Sequence, residues 1–247
     1  DAEVIQVIHI KRKTMAIYTR FDIEHWPRRE HYRYYTEKLK IEYNLTVDIR
    51  VEKLLDYCHR NDLRFYPALI SVITKTVNET ENFRMFRDDI GQLCVWDHVV
   101  PNYTIFHDDD KTFSDCWSEY ADSFDEQYRN ITADMDRYQN VKGIKTRPDQ
   151  PANYYCVSVE PWISFTGYNA RVTNGEPQFC PIITGGRYRR VHDQAVMPVN
   201  LMIAHAVCDG YHASMFFKQL QEEIDRIGSK KESITENISI IQHSVEN

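Results

Sequence analysis

Residues 204–212 of this 247-residue chain are Ala-His-Ala-Val-Cys-Asp-Gly-Tyr-His, and the sequence period changes across them. Before them, residues 196–205 are almost continuously apolar, which is typical of a β-strand buried on both faces. The Asp209-Gly210 pair favours a turn, and we expect Gly210 to permit an unusual backbone there. After the turn, apolar residues recur at helical spacing. They are Met215, Phe216, Leu220, Ile224 and Ile227. The stretch therefore predicts a strand that presents His205 at its end, followed by a helix.

Periodicity predicts the other elements in the same way. Apolar residues at helical spacing indicate helices at 51–61, 65–78 and 122–138, and Gly228 is expected to end the last helix. Strands are predicted at 93–96, 103–107, 154–159, 163–169 and 179–188, with a turn at 100–102. Because helices and strands do not alternate regularly, the order favours one mixed α/β (α+β) domain, a two-layer sandwich of sheet and helices.

The ends of the chain differ in character from its middle. Residues 1–14 contain no long apolar segment with a cleavage site, so we interpret them as a leader or extension rather than a secretory signal. Residues 15–228 are predicted to form the domain. Residues 229–247 begin with a polar run and are expected to form a loose C-terminal tail.

Charge and hydropathy exclude several classes of function. The chain has 30 Lys and Arg against 37 Asp and Glu, a net charge of −7, which argues against a nucleic-acid partner. No run approaches the roughly 18 apolar residues of a membrane span, so no membrane partner is expected. The basic residues of 187–190 (Arg-Tyr-Arg-Arg) favour instead a small phosphate-bearing ligand.

Six cysteines are widely spaced and form no Cys-x-x-Cys pair. They are Cys58, Cys94, Cys116, Cys156, Cys180 and Cys208. In a chain of this size such spacing predicts reduced, mostly core-filling thiols and a cytoplasmic protein, with a disulfide framework as the alternative.

A histidine delivered to the end of a strand is suited to general-base chemistry, because its unperturbed pKa lies near neutral pH. A single histidine in that place is more often structural, however, and Asp209 has a plain alternative as the cap of the following helix. His205, Asp209 and His212 also have a spacing that metal ligands can take. We expect no metal, since the change from strand to helix places the three on no common face.

With its flanks, the stretch resembles the signature of a known family, and five further segments match in the same order along the chain. These are Trp26-Pro27-Arg28-Arg29-Glu30-His31, Phe83-Arg84-Met85, Tyr103-Thr104-Ile105-Phe106-His107 with Thr112-Phe113-Ser114, Ser158-Val159-Glu160-Pro161-Trp162-Ile163-Ser164-Phe165-Thr166, and Pro181-Ile182-Ile183-Thr184. The family is that of the chloramphenicol acetyltransferases, and the resemblance runs from about Phe21 to about Ile227.

The resemblance implies an O-acetyltransferase that uses acetyl-CoA, acts on chloramphenicol and gives antibiotic resistance. It assigns the general base to His205 and the oxyanion donor to Ser158. Thr184 matches the residue that holds a water near the transition state. Asp209 is expected to form a salt bridge with Arg28 and hold the histidine loop, rather than to relay a proton.

The resemblance also implies two binding regions and an assembly. The acceptor pocket would be apolar and aromatic, built by Tyr34, Tyr35, Leu39, Ile41, Tyr43, Thr104 and Phe113. Tyr188 would stack on the adenine of the coenzyme, and Arg187 would meet its phosphate. The family is trimeric, so the histidine of one subunit would face the pocket of the next.

Departures from the family pattern leave the acceptor open. Ala204 stands where the family has a first, non-catalytic histidine, and Ile41 and Cys156 occupy pocket-side positions with other residues. An acetyltransferase for a different xenobiotic or a sugar-like alcohol is therefore an alternative, and a non-catalytic module that sequesters drug or coenzyme is another. The acyltransferase core of 2-oxoacid dehydrogenase complexes shares the His-x-x-x-Asp-Gly turn but normally follows a lipoyl domain and a linker, for which we expect no room.

Overall fold

The computed structural model describes residues 16–170 and 178–230. The predicted leader, 1–14, and all but the first two residues of the predicted tail lie outside the described residues. Ten strands and five α-helices follow one another in the described part. They are β1 (Tyr18–Arg20), α1 (Arg29–Glu37), β2 (Glu42–Arg50), α2 (Glu52–Arg60), α3 (Phe65–Glu79), β3 (Met85–Arg87), β4 (Leu93–Trp96), β5 (Val100–His107), β6 (Thr112–Trp117), α4 (Phe124–Tyr138), β7 (Tyr154–Glu160), β8 (Ile182–Gly186), β9 (Arg189–Val191), β10 (Gln194–Ala204) and α5 (Gly210–Gly228).

The main sheet has the strand order β2-β10-β8-β7-β5-β6, and β9 pairs with the start of β10. Its central pairs, β5 with β7 and β7 with β8, are parallel, whereas the others are antiparallel. β10 is the longest strand and is buried along nearly its whole length. The continuous apolar run that predicted it is explained by its place between β2 and β8.

One face of this sheet is covered by helices. Val157, Ile183, Val199 and Leu201 project into a core that they share with apolar residues of α2, α3, α4 and α5. Side chains alternate between the faces of a strand, so Ser158, Thr184 and Asn200 lie on the other face, which residues 161–170 partly cover. The predicted two-layer arrangement of a mixed sheet and helices is confirmed.

A small antiparallel sheet, β1-β4-β3, lies apart from the main one. Tyr18, Phe86 and Trp96 pack on it, with the Phe86 and Trp96 rings stacked at 4.3 Å. Phe21 directly follows β1, and its ring packs edge-on against the Trp26 ring with centroids 4.9 Å apart. It thereby helps to fix the segment that leads into α1.

Several predicted elements are confirmed and others are wrong. The helices predicted at 51–61, 65–78 and 122–138 are present as α2, α3 and α4, and Gly228 ends α5. The turn predicted at 100–102 is wrong: Val100 donates to the Asn153 carbonyl oxygen, and Pro101 pairs with Tyr155, so β5 begins there. Proline, which has no N–H to donate, is accepted because it stands at the start of β5, and its carbonyl oxygen accepts from the Ser118 N–H.

The strand predicted at 163–169 is also wrong. These residues form a loop after Pro161 that folds back over the sheet, where the Tyr168 carbonyl oxygen accepts from Asn200. The strand predicted at 179–188 is shorter, Ile182–Gly186, because Pro181 precedes it and Arg187 turns to donate to the Ile163 carbonyl oxygen.

Candidate active site

His205 lies immediately after β10, where the chain turns toward α5. Its backbone N–H donates to the Ile41 carbonyl oxygen at 2.9 Å, which continues the pairing of β10 with the chain ahead of β2. The residues on both sides, Ala204 and Ala206, are buried, whereas His205 itself is partly exposed. The local sequence thus anchors the backbone in the core and presents only the ring.

The hydrogen-bond partners of the ring define its tautomer. Nδ1 lies 3.2 Å from the Cys208 carbonyl oxygen. A carbonyl oxygen only accepts, so Nδ1 carries a hydrogen, and in the neutral form of the ring Nε2 keeps the lone pair. The ring stacks on Tyr35 with centroids 4.0 Å apart and meets the edge of Tyr43 at 5.2 Å. A neutral imidazole held in this way can accept a proton through Nε2.

Arg28 ties the histidine loop to the start of α1. Its Nε donates to Asp209 Oδ2 at 2.9 Å, and its terminal nitrogens donate to the His205 and Ala206 carbonyl oxygens at 3.1 Å each. The Arg28 side chain is only 11% exposed, and its guanidinium lies 5.1 Å from the Trp26 ring centroid. The expected contact between Arg28 and Asp209 is therefore present, and Arg28 also binds the backbone beside the histidine.

Asp209 has both of the roles considered from the sequence. It pairs with Arg28 and also caps α5, where its side chain accepts from the backbone N–H groups of Tyr211 and His212. His212 Nδ1 lies 2.7 Å from Asp209 Oδ1, so Nδ1 is the donor of that bond. The Asp209 backbone nitrogen lies 3.4 Å from His212 Nδ1. Because Nδ1 is protonated, it has no lone pair to accept a hydrogen bond from that N–H.

These contacts explain the electrostatics of Asp209. Partial burial acts to raise the pKa of the carboxyl, but the hydrogen bond from His212 and the charges of His212 and Arg28 outweigh it. The pKa of Asp209 is therefore below its usual value, and the group is a carboxylate at neutral pH. Gly210, expected to permit an unusual backbone, does not have a positive φ, and the capping by Asp209 shapes the turn.

Ser158 and Thr184 lie side by side on the sheet face that carries no helix. They are direct partners in the parallel ladder of β7 and β8, and Thr184 is in turn paired with Asn200 of β10. On the other side, β5 pairs with β7 up to Tyr103 and Val157, which brings Thr104 level with Ser158. Four neighbouring strands thus place a row of polar side chains across the sheet.

The described residues of one chain form two separate groups, one at His205 and one at Ser158. His205 follows Asn200 by five residues, roughly 17 Å along the strand, and Ser158 is two strands away, about 10 Å across. The two side chains are too short to span that distance. The group at His205 contains Arg28, Asp209, Tyr34, Tyr35, Leu39, Ile41 and Tyr43. Thr184 and Thr104 lie beside Ser158, and Phe113 lies on β6 at that side of the sheet. Arg187 and Tyr188 follow β8, beyond the end of its pairing with β7.

The predicted pocket residues differ in how closely they approach the histidine. Tyr35, Ile41 and Tyr43 contact it directly, whereas Tyr34 packs on the far side of Tyr35 and, like Leu39, is exposed. Phe113 is exposed on β6 opposite Phe106. Thr104 binds the Tyr66 hydroxyl through its carbonyl oxygen at 3.2 Å.

The basic residues of 187–190 are largely matched within the chain. Arg189 pairs with Asp48, and Arg190 pairs with Glu52. The Arg187 side chain is exposed, and Tyr188 is exposed with its ring edge toward Phe65. Arg187 and Tyr188 are thus the members of this run that remain open to a ligand.

In residues 16–170 and 178–230, no group of three or more histidine, cysteine, aspartate or glutamate side chains is arranged to hold a metal ion. His212 binds the carboxylate of Asp209, while the His205 ring is held by Tyr35 and Cys208.

In the described residues, no helix is both long and apolar enough to cross a bilayer.

Two contributors to the site were not assigned a role from the sequence. His212 fixes Asp209, and its signal was its place three residues after a helix-capping aspartate. Asn200 anchors the β10 end of the polar row by donating to Thr46 Oγ1 at 3.0 Å and to the Tyr168 carbonyl oxygen at 3.1 Å. A buried asparagine inside an apolar run was the available signal.

Comparison with solved structures places the fold. A chloramphenicol acetyltransferase structure aligns with a TM-score of 0.71, covering 85% of this chain and 98% of that one, at 18% identity. At that identity the likeness concerns the fold alone.

Sequence comparison is more specific. The family model for chloramphenicol acetyltransferase matches residues 16–221. The chloramphenicol acetyltransferase of Clostridium butyricum is 38% identical over 201 residues, covering 81% of this chain and 92% of that protein. Chloramphenicol acetyltransferase 3 of Escherichia coli is 35% identical over 206 residues, covering 83% and 96%. The chain belongs to the chloramphenicol acetyltransferase family, and it is an acyltransferase enzyme.

Proposed function

We propose that this enzyme transfers the acetyl group of acetyl-CoA to a hydroxyl of chloramphenicol and so gives resistance to the antibiotic. Membership of the family, together with relatives that are chloramphenicol acetyltransferases, supports chloramphenicol as the acceptor and acetyl-CoA as the donor. The observation that carries the proposal is the His205 ring, partly exposed at the end of β10 with Nδ1 engaged and Nε2 available.

In the proposed reaction, His205 Nε2 takes the proton of the acceptor hydroxyl as its oxygen attacks the thioester carbonyl carbon. The tetrahedral intermediate carries a negative oxygen, which the Ser158 hydroxyl stabilises by donating a hydrogen bond. The C–S bond then breaks, the thiolate of coenzyme A leaves, and protonated His205 returns the proton to the sulfur. Both substrates are bound together, and no acetyl-enzyme forms.

The two groups of site residues support an assembly in which neighbouring copies complete each site. Since His205 and Ser158 of one chain are too far apart to share a substrate, we propose a homotrimer in which His205 of one subunit faces Ser158 of the next. An exposed aromatic patch on the Ser158 side, formed by Phe106, Phe113 and Trp162, is suited to such a contact.

Within that assembly, the remaining residues divide between the two substrates. Tyr35, Ile41 and Tyr43, which contact His205, would form the acceptor pocket with Tyr34 and Leu39 from one copy and with Thr104 and Phe113 from the other. Thr184 would hold a water beside Ser158. Tyr188 would stack on adenine, and Arg187 would bind a phosphate of the coenzyme.

Cytoplasmic location stays a prediction that rests on the cysteine spacing.

The first prediction tests the base. His205→Ala is expected to lower the rate of thiol release from acetyl-CoA in the presence of chloramphenicol by at least about 10²-fold, the low end of general-base effects. His59→Ala is the matched control, because His59 is exposed on α2, which carries none of the proposed site residues. Equal turnover by His205→Ala and wild type would refute the proposed mechanism.

The second candidate is transfer to a different hydroxylated acceptor. Ala204, buried at the end of β10, and Ile41, bonded to His205, replace family residues beside the base, which favours a changed pocket. Expression of the protein in sensitive bacteria separates the candidates. Growth in chloramphenicol supports the first, whereas thiol release with another alcohol but no protection supports the second.

A further inference from the structure

Cys156 and Cys180 bring two thiols together at the start of the β7–β8 pair. The Cys156 N–H donates to the Pro181 carbonyl oxygen at 3.1 Å, which holds the segment of Cys180 against β7. Cys180 directly precedes Pro181 and stands two residues before Ile182, the partner of Cys156 in the β7–β8 ladder, so the two thiols lie near each other on one face. The Gln178 amide lies 3.0 Å from Cys180 Sγ. All cysteines of the described residues are free, so these are two thiols rather than a disulfide.

Cys156 differs chemically from the other cysteines, whereas a hydrogen bond to Cys156 and burial raise the pKa of the Cys180 thiol. Cys58, Cys94, Cys116 and Cys208 are buried, and burial raises the pKa of each thiol, to about 12 for Cys58 and about 11 for Cys208. Cys156 and Cys180 are only half-buried. The hydrogen bond from the Cys180 thiol lowers the pKa of Cys156 against the opposing effect of burial, which favours a thiolate there.

The surroundings of Cys180 leave room for a small reagent beside the pair. Cys180 lines an open cavity of about 440 Å³ together with Arg87, Tyr154, Gln178 and Phe179. Asn102, pairing with Cys156 in the β5–β7 ladder, places its amide nitrogen 3.9 Å from Cys156 Sγ. The amide oxygen of Asn102 is buried and has no hydrogen-bond partner among the described residues. A hydroxyl formed on the Cys156 sulfur would find an acceptor at that atom.

We propose that Cys156 and Cys180 are an oxidation-sensitive pair that closes to a reversible disulfide in the presence of a peroxide. The Cys156 thiolate attacks one peroxide oxygen, the O–O bond breaks, and the released hydroxide takes a proton to give water. The Cys180 thiol then attacks the Cys156 sulfenic acid, the S–O bond breaks, and a second water leaves as the S–S bond forms. Two thiols lose two electrons, and one peroxide gains them.

Closure of this pair would act on the proposed oxyanion donor. Cys156 lies two residues before Ser158 and therefore projects from the same face of β7, and Cys180 precedes β8, which carries Thr184. A bridge would pull the start of β8 toward Cys156 and disturb the Ser158–Thr184 pair. This consequence for activity rests on the proposed function, whereas disulfide formation does not.

Mass spectrometry of the full-length protein tests the chemistry. The reduced protein is exposed to hydrogen peroxide, and the expected result is a loss of two hydrogens, a peptide linked through Cys156 and Cys180, and reversal by dithiothreitol. Cys180→Ala should instead stop at a sulfenic acid on Cys156 that a 1,3-diketone probe traps. Cys58→Ala, a buried cysteine distant from the pair, should still form the bridge. No mass loss in wild type, or linkage through other cysteines, would overturn the proposal.

An activity measurement on the same samples tests the consequence. We expect the bridged wild type to turn over chloramphenicol about tenfold more slowly, a part of the roughly hundredfold lost when an oxyanion donor is removed, and dithiothreitol to restore the rate. Cys180→Ala should keep its rate after peroxide. An unchanged rate in the fully bridged protein would overturn the regulatory effect. A reduced protein without activity would instead refute the proposed function.

Discussion

At the scale of single residues, the environment of His205 combines anchoring and exposure. Its backbone is fixed by Ile41 on one side and by Arg28 on the other, and its Nδ1 is engaged by the Cys208 carbonyl oxygen. In the proposed reaction, the ring would therefore need little reorganisation before Nε2 accepts a proton. Orientation of this kind lowers the entropic cost of reaching the reactive geometry.

Ser158 provides a prediction on catalysis. Ser158→Ala removes the proposed oxyanion donor, so kcat should fall by about 10²–10³-fold while KM for both substrates changes little. Ser164→Ala is a matched control on the same segment, where the hydroxyl accepts from Arg189 rather than facing the polar row. The prediction is contradicted if Ser158→Ala raises KM and leaves kcat unchanged, because the hydroxyl would then serve ground-state binding.

Asp209 provides a prediction on stability and pH. Asp209→Asn keeps a good helix cap but removes the charge that Arg28 and His212 face. The folded-state pKa of Asp209 is lowered, so the carboxylate stabilises the fold above the unfolded-state pKa of about 3.9, and this contribution is lost as pH falls through the folded-state pKa. Wild type should exceed the variant in free energy of unfolding at neutral pH, and the difference should shrink in acid.

Urea unfolding at a series of pH values measures this difference. Asp56→Asn is a suitable control, since Asp56 is exposed on α2. That substitution should leave the pH dependence of unfolding as in wild type. A stability difference between wild type and Asp209→Asn that is constant from neutral to acidic pH would show that the charge of Asp209 does not stabilise the fold.

At the scale of elements, the end of α5 is set by close packing against α2. Gly228 lies against Lys53, and a Cβ added to Gly228 would come within 2.6 Å of the Lys53 carbonyl carbon and 2.7 Å of its oxygen. Gly228→Ala should therefore destabilise the protein by about 1–3 kcal/mol through overpacking. Gly210→Ala, at the other end of the same helix, meets nothing within 4 Å and should not reduce stability.

Thermal and urea unfolding of the two glycine variants test this prediction. The two substitutions add the same methyl group to the same helix, so the comparison isolates the contact with Lys53. If Gly228→Ala is as stable as wild type, α5 and α2 can separate at this point without cost, and the packing inferred for the helix layer is incorrect.

Helices were easier to predict from this sequence than strands, for a physical reason. The apolar stripes of α2, α3, α4 and α5 face one core, so their period is plain in the sequence. β2 was missed because its side chains are mostly half-exposed at the sheet edge, where alternation is weak. The loop at 163–169 was mistaken for a strand because its apolar residues cover the sheet rather than join it.

At the scale of the whole molecule, the sequence indicated candidate residues for the site but could not indicate the distances between them. The pairing registers of β10 with β8 and of β8 with β7 decide that His205 and Ser158 lie apart in one chain. Register depends on contacts between strands that are distant in sequence, so no local pattern contains it. The contact of Arg28 with Asp209, 181 residues apart, followed from resemblance rather than from spacing.

The separation of the two groups leads to the last prediction, which concerns assembly. If each site takes His205 from one subunit and Ser158 from the next, His205→Ala and Ser158→Ala proteins are each nearly inactive, but a mixed trimer contains some intact sites. Random assembly of equal amounts of the two variants should restore about one quarter of wild-type turnover, because a site is intact only when its first subunit retains histidine and its second retains serine.

Co-refolding of the two variants followed by the thiol-release assay measures this turnover, and sedimentation counts the subunits. Refolding each variant alone is the control and should restore nothing. If the mixture stays as inactive as its components although mixed trimers form, His205 and Ser158 do not act across a subunit interface, and the site would have to assemble within one chain by a rearrangement of β10.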